Sequence, residues 1–237
     1  MATLYVVATP IGNLGDVSSR AIKVLNEVDL ILCEDTRVTK KLLDYYKIKT
    51  SVLSYHQHSK LKKIEEILQF LNEGKNLALV SDAGTPGIAD PGNKLIALIT
   101  TRPGLPINVV SVPGPSALAA AASISGFPMD KFLFFGFPPV KKKRRKFFEE
   151  IRQSKYPVIF YESPYRILKS LRDLDRFTQI GKQINTDRNI VVCRELTKKF
   201  ETIYRGAIDE VIKEIEKDQI KGEFVIIACP VRNLHHL

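Results

Sequence analysis

Three loops dense in glycine and proline, each set directly behind a short apolar strand, constrain this chain more than any other feature. They are Thr9-Pro10-Ile11-Gly12-Asn13-Leu14-Gly15-Asp16, Ser81-Asp82-Ala83-Gly84-Thr85-Pro86-Gly87-Ile88-Ala89-Asp90-Pro91-Gly92 and Ser111-Val112-Pro113-Gly114-Pro115-Ser116-Ala117. The strands ahead of them are Thr3-Leu4-Tyr5-Val6-Val7-Ala8, Leu77-Ala78-Leu79-Val80 and Ile107-Asn108-Val109-Val110. Short apolar strands alternating with helical patterns are the mark of an α/β fold. In an open sheet of that kind, ligands bind just beyond the carboxyl ends of the strands. Glycine lets backbone approach a ligand closely, and proline holds a loop in one shape. One such loop is an ordinary turn. Three at one edge read as a small-molecule pocket.

The rest of the chain fits the same frame. Asp16 or Ser18 can cap a helix with Ala21, Leu25 and Val28 on one face, ahead of the strand Leu30-Ile31-Leu32-Cys33. Ser59 can cap a helix with Leu61, Ile64, Ile67, Leu68 and Leu71 at helical spacing and Gly74 as its stop. The pattern changes at Val112-Pro113-Gly114-Pro115, after which a small-residue helix runs from Ser116 to Ser125. That change places a domain junction there, with an N-terminal α/β domain over 1–114 and a C-terminal α/β domain over 115–237. In the second half, Val158-Ile159-Phe160-Tyr161, Ile190-Val191-Val192-Cys193 and Phe224-Val225-Ile226-Ile227-Ala228 read as strands. Ser163-Pro164 reads as a cap with proline at the first helical position, and Val211, Ile212 and Ile215 mark a later helix.

Composition narrows the function. A chain 44% hydrophobic and 26% charged is ordinary for a soluble globular protein. No apolar run approaches the roughly 18 to 20 residues that span a bilayer, so no membrane-spanning segment is expected. The N-terminus reads as a strand, not as a signal peptide. Cys33, Cys193 and Cys229 lie far apart, which excludes a metal-ligand spacing and leaves buried, reduced thiols in a cytoplasmic protein. A net charge of +10 favours an anionic partner: nucleic acid, a membrane surface or a polyanionic substrate. The first loop is only Gly12-x-x-Gly15, and no phosphate-cradling motif is present. A cationic cofactor without phosphate, held by carbonyls and carboxylates, suits such a pocket better.

Six stretches then become recognisable together. They are Val7-Ala8-Thr9-Pro10-Ile11-Gly12-Asn13, Cys33-Glu34-Asp35-Thr36-Arg37, the loop from Ser81 to Gly92, Val112 to Ala117, Tyr161-Glu162-Ser163-Pro164 and Arg194-Glu195-Leu196-Thr197-Lys198. In this order, over nearly the whole chain, they resemble the tetrapyrrole methylase superfamily, and within it the branch that methylates small-subunit ribosomal RNA. The resemblance implies a two-domain fold, each domain a sheet flanked by helices, with S-adenosyl-L-methionine folded into the cleft between them. It implies that Pro10, Asp82, Ala83, Gly84, Thr85, Ile88, Ala89, Ser116 and Ala117 meet the cofactor, as do Tyr161, Glu162, Leu196, Gly222 and Glu223. The implied reaction is 2'-O-methylation of a cytidine ribose in 16S ribosomal RNA of the small subunit, by a homodimer that needs no metal. Many relatives continue past the last strand into a small helical segment, whereas here Val231 to Leu237 follow it.

Such a reaction requires in-line positioning and a route for the hydroxyl proton. Asp35 and His56 are the candidate bases, and Glu34 and Arg37 lie beside the first of them on the substrate side. Asp35 or Thr36 equally suits a helix cap, and His56 a solvated loop. Arg194, Lys198 and Arg205 can hold RNA phosphates, or pair with Glu195 and Glu201. Lys141, Lys142, Arg144 and Arg145 belong to six consecutive cations, Lys141 to Lys146, that can neutralise RNA phosphates or form a solvated helix start. Two alternatives stand beside this reading. A tetrapyrrole C-methyltransferase would also welcome a basic cleft, but the Cys33–Arg37 and Arg194–Lys198 motifs favour RNA. A non-catalytic ribosome-assembly protein would have no need of the three loops.

Overall fold

The computed structural model describes residues 1–56, 61–90, 92–101, 107–178 and 189–230. The expected cap at Ser59 and the residues Val231 to Leu237 therefore lie outside the described residues. The chain divides into two compact units, Met1–Ser116 and Ala117–Leu237.

The first unit is a five-stranded parallel sheet of β1 (Thr3–Val7), β2 (Leu30–Cys33), β3 (Val52–Ser54), β4 (Leu77–Leu79) and β5 (Asn108–Val112), in the order β3-β2-β4-β1-β5. The helices α1 (Ser19–Glu27), α2 (Thr36–Tyr45), α3 (Leu61–Asn72) and α4 (Asn93–Thr101) connect them. Strand periodicity explains why helices cover both faces. Ile31, Cys33, Ala78 and Val80 pack with Ala21, Leu25 and Leu43 of α1 and α2, while their neighbours Leu32, Leu77 and Leu79 pack with Ile67, Leu71 and Ile99 of α3 and α4. Ser18 caps α1, accepting from the Ala21 N–H at 3.1 Å, whereas Asp16 lies in a single 3-10 turn ahead of it.

The second unit carries α5 (Ala117–Ile124), β6 (Leu133–Phe134), α6 (Arg144–Gln153), β7 (Val158–Glu162), α7 (Ile167–Thr178), β8 (Asn189–Arg194), β9 (Thr202–Ala207), α8 (Ile208–Lys217) and β10 (Phe224–Ala228). Its strand order is β6-β7-β10-β8-β9; only the β6–β7 pair is parallel, and the others are antiparallel. Phe148, Phe160, Leu171, Val192, Val211, Phe224 and Ile226 form its core under α6, α7 and α8. Proline does not open α7. That helix begins at Ile167, and the Ser163 carbonyl ahead of it accepts from the N–H groups of Arg166 and Ile167, both at 3.1 Å. Among the described residues, no helix is long and apolar enough to cross a membrane.

Candidate functional site

A parallel sheet sends every strand toward the same edge, so the loops after β1, β4 and β5 emerge side by side. In the first unit they are fastened into one body. Thr9 and Gly84 exchange backbone hydrogen bonds at 2.9 and 3.0 Å, and the Ala8 N–H donates to the Val112 carbonyl at 3.2 Å. The buried Thr9 hydroxyl donates to the Ser81 carbonyl at 3.1 Å, and the Thr85 hydroxyl donates to the Pro115 carbonyl at 3.1 Å. Gly84 holds φ at +83°, a conformation that disfavours any side chain, and a Cβ there would lie 3.4 Å from Ile11. Pro10 and Ser116 are half-buried beside this junction, while Asp82, Ala83, Ile88 and Ala89 are exposed; Ala117, the first residue of the second unit, is half-buried. The expected cofactor residues of this unit are thus brought to one edge.

The same edge is acidic. The Asp35 N–H donates to Asp82 Oδ1 at 3.0 Å, linking the end of β2 to the central loop. Partial burial, with the nearby charges of Asp82 and Asp90, pushes the Glu34 carboxyl up to about 7. Burial likewise raises Asp90, although the Gly87 N–H and the Ser81 hydroxyl work against it. Asp35 has the opposite fate. Its carboxylate caps α2 through the Arg37 N–H at 2.8 Å and grips the Arg37 guanidinium at 2.6 Å, so it lies far below the usual carboxylate range. A carboxylate so stabilised is a poor proton acceptor, and the expectation of Asp35 as base gives way to its role as a cap. Exposed His56 shares a 2.7 Å hydrogen bond with the Ser54 hydroxyl at the end of β3. Residue type alone does not point to Asp90 or Thr9; both follow small or strained positions in the Gly/Pro loops, which is the only local signal for them.

In the second unit, Leu196 is buried in the loop between β8 and β9, where Glu195 and Thr197 both hold positive φ. Glu195 lies so close to Gly222 that a Cβ there would fall 2.2 Å from its carboxyl carbon. Lys198 bonds Glu195 and Glu223, each at 2.8 Å. Burial disfavours charge at Lys198 and Glu195, but their hydrogen bonds outweigh it and drive the lysine up and the glutamate down.

Three expected phosphate ligands are committed elsewhere. Arg194 Nε donates to the Lys221 carbonyl at 3.0 Å, and Arg205 caps the end of α5 through the carbonyls of Ile124 and Ser125. Arg144 turns inward: it is 8% exposed, with Nε on Asp173 at 2.7 Å, Nη1 on the Pro139 carbonyl at 3.2 Å and Nη2 on the Ser170 hydroxyl at 2.9 Å. Its assignment to substrate is corrected by that burial. Glu162 is buried too, its carboxylate accepting from the Ser163 N–H at 2.8 Å and the Ser170 hydroxyl and pairing with Arg166 at 2.8 Å. Only its backbone is left for a ligand. Tyr161 is half-buried between Phe134 and Phe137. Lys141 and Lys142 are exposed, and Arg145 pairs with Glu149 at 2.7 Å. No cluster among the described residues could hold a metal ion. Cys33 and Cys193 are buried free thiols, and Cys229 is half-buried.

Residues 3–212 match the model of the tetrapyrrole (corrin/porphyrin) methylases. Ribosomal RNA small subunit methyltransferase I of Thermotoga maritima is 44% identical over 96% of this chain and 98% of its own length. Its namesake in Escherichia coli O157:H7 is 44% identical over 95% of this chain and 77% of its own. Among solved structures, a cobalt precorrin-4 methyltransferase of cobalamin biosynthesis shares the fold with a TM-score of 0.69 at 20% identity, covering 96% of this chain and 94% of that one. With its loops, its acidic edge and these relatives in agreement, the chain belongs to the tetrapyrrole methylase family, beside the methyltransferases of small-subunit ribosomal RNA.

Proposed function

We propose that this chain transfers a methyl group from S-adenosylmethionine to the ribose 2'-hydroxyl of a cytidine in 16S ribosomal RNA, within the small ribosomal subunit. The observation that carries the reading is the fastening of three Gly/Pro loops at an acid-lined strand edge. The relatives named for ribosomal RNA methylation support the substrate. The residues present fit the cofactor. It is cationic at sulfur and at its amino group, and Asp82 and Asp90 supply carboxylates where no phosphate cradle exists. When bound, S-adenosylmethionine offers an electrophilic methyl on a sulfonium, whose sulfur takes the bonding pair as the methyl leaves.

The chain's own residues then do three things. The locked backbone of Thr9, Gly84 and Thr85 holds the pocket in one shape, which limits the entropy lost on binding. In the second unit, backbone at Tyr161, Glu162, Leu196, Gly222 and Glu223 is taken to meet the adenine, as the resemblance implies. Glu34 takes the hydroxyl proton as the ribose oxygen forms its bond to the methyl carbon. A carboxyl near 7 is well matched to that task at neutral pH, and Asp35 is not. The acting form is read as a cytoplasmic homodimer.

The test is labelled methyl transfer into small subunits that lack the modification, alongside naked 16S RNA. Incorporation that depends on Glu34 is expected. No incorporation into either substrate, with no calorimetric heat on adding the cofactor, would remove the reading.

A further inference from the structure

The cations of the second unit are not equal, and one exposed run of them follows the exposed Phe137 in sequence. Lys141, Lys142 and Lys143 are exposed and make no ion pair among the described residues. Lys143 also holds a left-handed φ of +67° at the start of α6, with no side-chain cap. A left-handed lysine is strained, and cations at a helix N-terminus oppose its dipole. No acidic partner among the described residues offsets either cost. Just ahead of these lysines, Phe137 is 52% exposed, and Tyr165 is 95% exposed.

This stretch is fastened at three points. Phe137 packs edge-on to Tyr161 with ring centroids 5.4 Å apart. Arg166, next to Tyr165, donates to the Pro138 carbonyl at 3.2 Å, and Arg144 donates to the Pro139 carbonyl at 3.2 Å. Half-buried Arg166 therefore ties Pro138 to the turn that carries Tyr165, while buried Arg144 ties Pro139 to α7. An exposed ring on a turn bonded to the segment that carries a second exposed ring and leads into three exposed lysines has the chemistry of a surface that stacks bases and neutralises phosphates.

We infer that Tyr165 and Phe137 stack on unpaired bases of an RNA strand whose phosphates run along Lys141, Lys142 and Lys143. The inference rests on the RNA reading above and adds base-stacking residues to it. Charge complementarity favours RNA over a second copy of this chain, because a two-fold contact through this face would set one lysine strip against another.

The experiment uses the full chain and a fluorescently labelled, unstructured single-stranded RNA 12-mer, with anisotropy read over a range of salt. Tyr165→Ala is expected to weaken binding about 10-fold without changing the salt slope, and Tyr165→Phe to restore it, since stacking needs only the ring. The triple change of Lys141, Lys142 and Lys143 to Gln is expected to lower the slope by about 0.7 for each phosphate that is no longer neutralised. Tyr165 touches no core, so its variants keep the fold, and a thermal melt verifies this. Unchanged RNA affinity in Tyr165→Ala overturns the inference. So does a variant whose only change is a lost dimer, or lost binding to vesicles containing phosphatidylglycerol. If small subunits are methylated normally by Tyr165→Ala, with normal RNA affinity, the RNA reading stands and the stacking surface falls. If wild type methylates nothing yet its single-strand binding depends on Tyr165, the outcome is the reverse.

Discussion

Two basic clusters of the second unit carry similar charge in opposite surroundings. Arg194, Lys198 and Arg205 are bonded to the protein's own carbonyls and carboxylates. Lys141 to Lys143 have no such bond among the described residues, although Arg144, the next residue in the same run, is interior. Counting cations therefore does not locate an anion site. What counts is whether a cation already has a partner, since a paired one must lose that partner before it can meet a phosphate.

The contrast between the clusters breaks first, and with the largest effect, at Arg144. Arg144→Ala leaves Asp173 and the Ser170–Glu162 pair without their buried cation, and should destabilise the unit by about 3–5 kcal/mol in urea unfolding. A loss under about 0.5 kcal/mol, together with weaker RNA binding, would return Arg144 to the surface cluster.

Catalysis offers the next largest effect. Glu34→Gln should lower methyl transfer by about 10²- to 10⁴-fold with cofactor affinity nearly kept. Because Glu34 acts deprotonated, the wild-type rate should rise with pH through about 7, and that limb should vanish in the variant. The same group gives a stability signature. A carboxyl raised from 4.5 to about 7 binds its proton more tightly when folded, so its contribution is full below 4.5 and is lost as pH rises toward 7. Methyl transfer kept in Glu34→Gln but lost in His56→Ala would move the base there.

Smaller again is Arg205→Ala, which uncaps α5 and should cost about 1–2 kcal/mol while leaving the RNA salt slope unchanged. Smallest on stability is the triple lysine change, expected within about 0.5 kcal/mol of wild type by thermal unfolding.

Much of this was legible from residues alone. The three loops could be read because glycine and proline crowd behind strands whose apolar runs are unbroken, as in Leu77 to Val80. The order of the second sheet could not. β6 is two residues long, and β9, Thr202-Ile203-Tyr204-Arg205-Gly206-Ala207, is too polar to stand out. Nothing local tells a strand that its partner runs antiparallel. Arg144 was hidden by its neighbours, yet its signal was present: Arg144, Phe147, Phe148 and Ile151 share one helical face, and all four are buried. Glu34 and Asp35 show the limit of type and spacing. They are adjacent acids at one strand end, and only the cap and the Arg37 pair separate a cap from a base.

Transfer of the methyl group to a ribose oxygen of cytidine in small-subunit RNA is checked by digesting the methylated 16S RNA to nucleosides and weighing the product by mass spectrometry. The expected product is 2'-O-methylcytidine, with the added mass on the ribose fragment and about 10²- to 10⁴-fold less of it formed by Glu34→Gln. Methyl mass on a base fragment, or on another nucleoside, would contradict it.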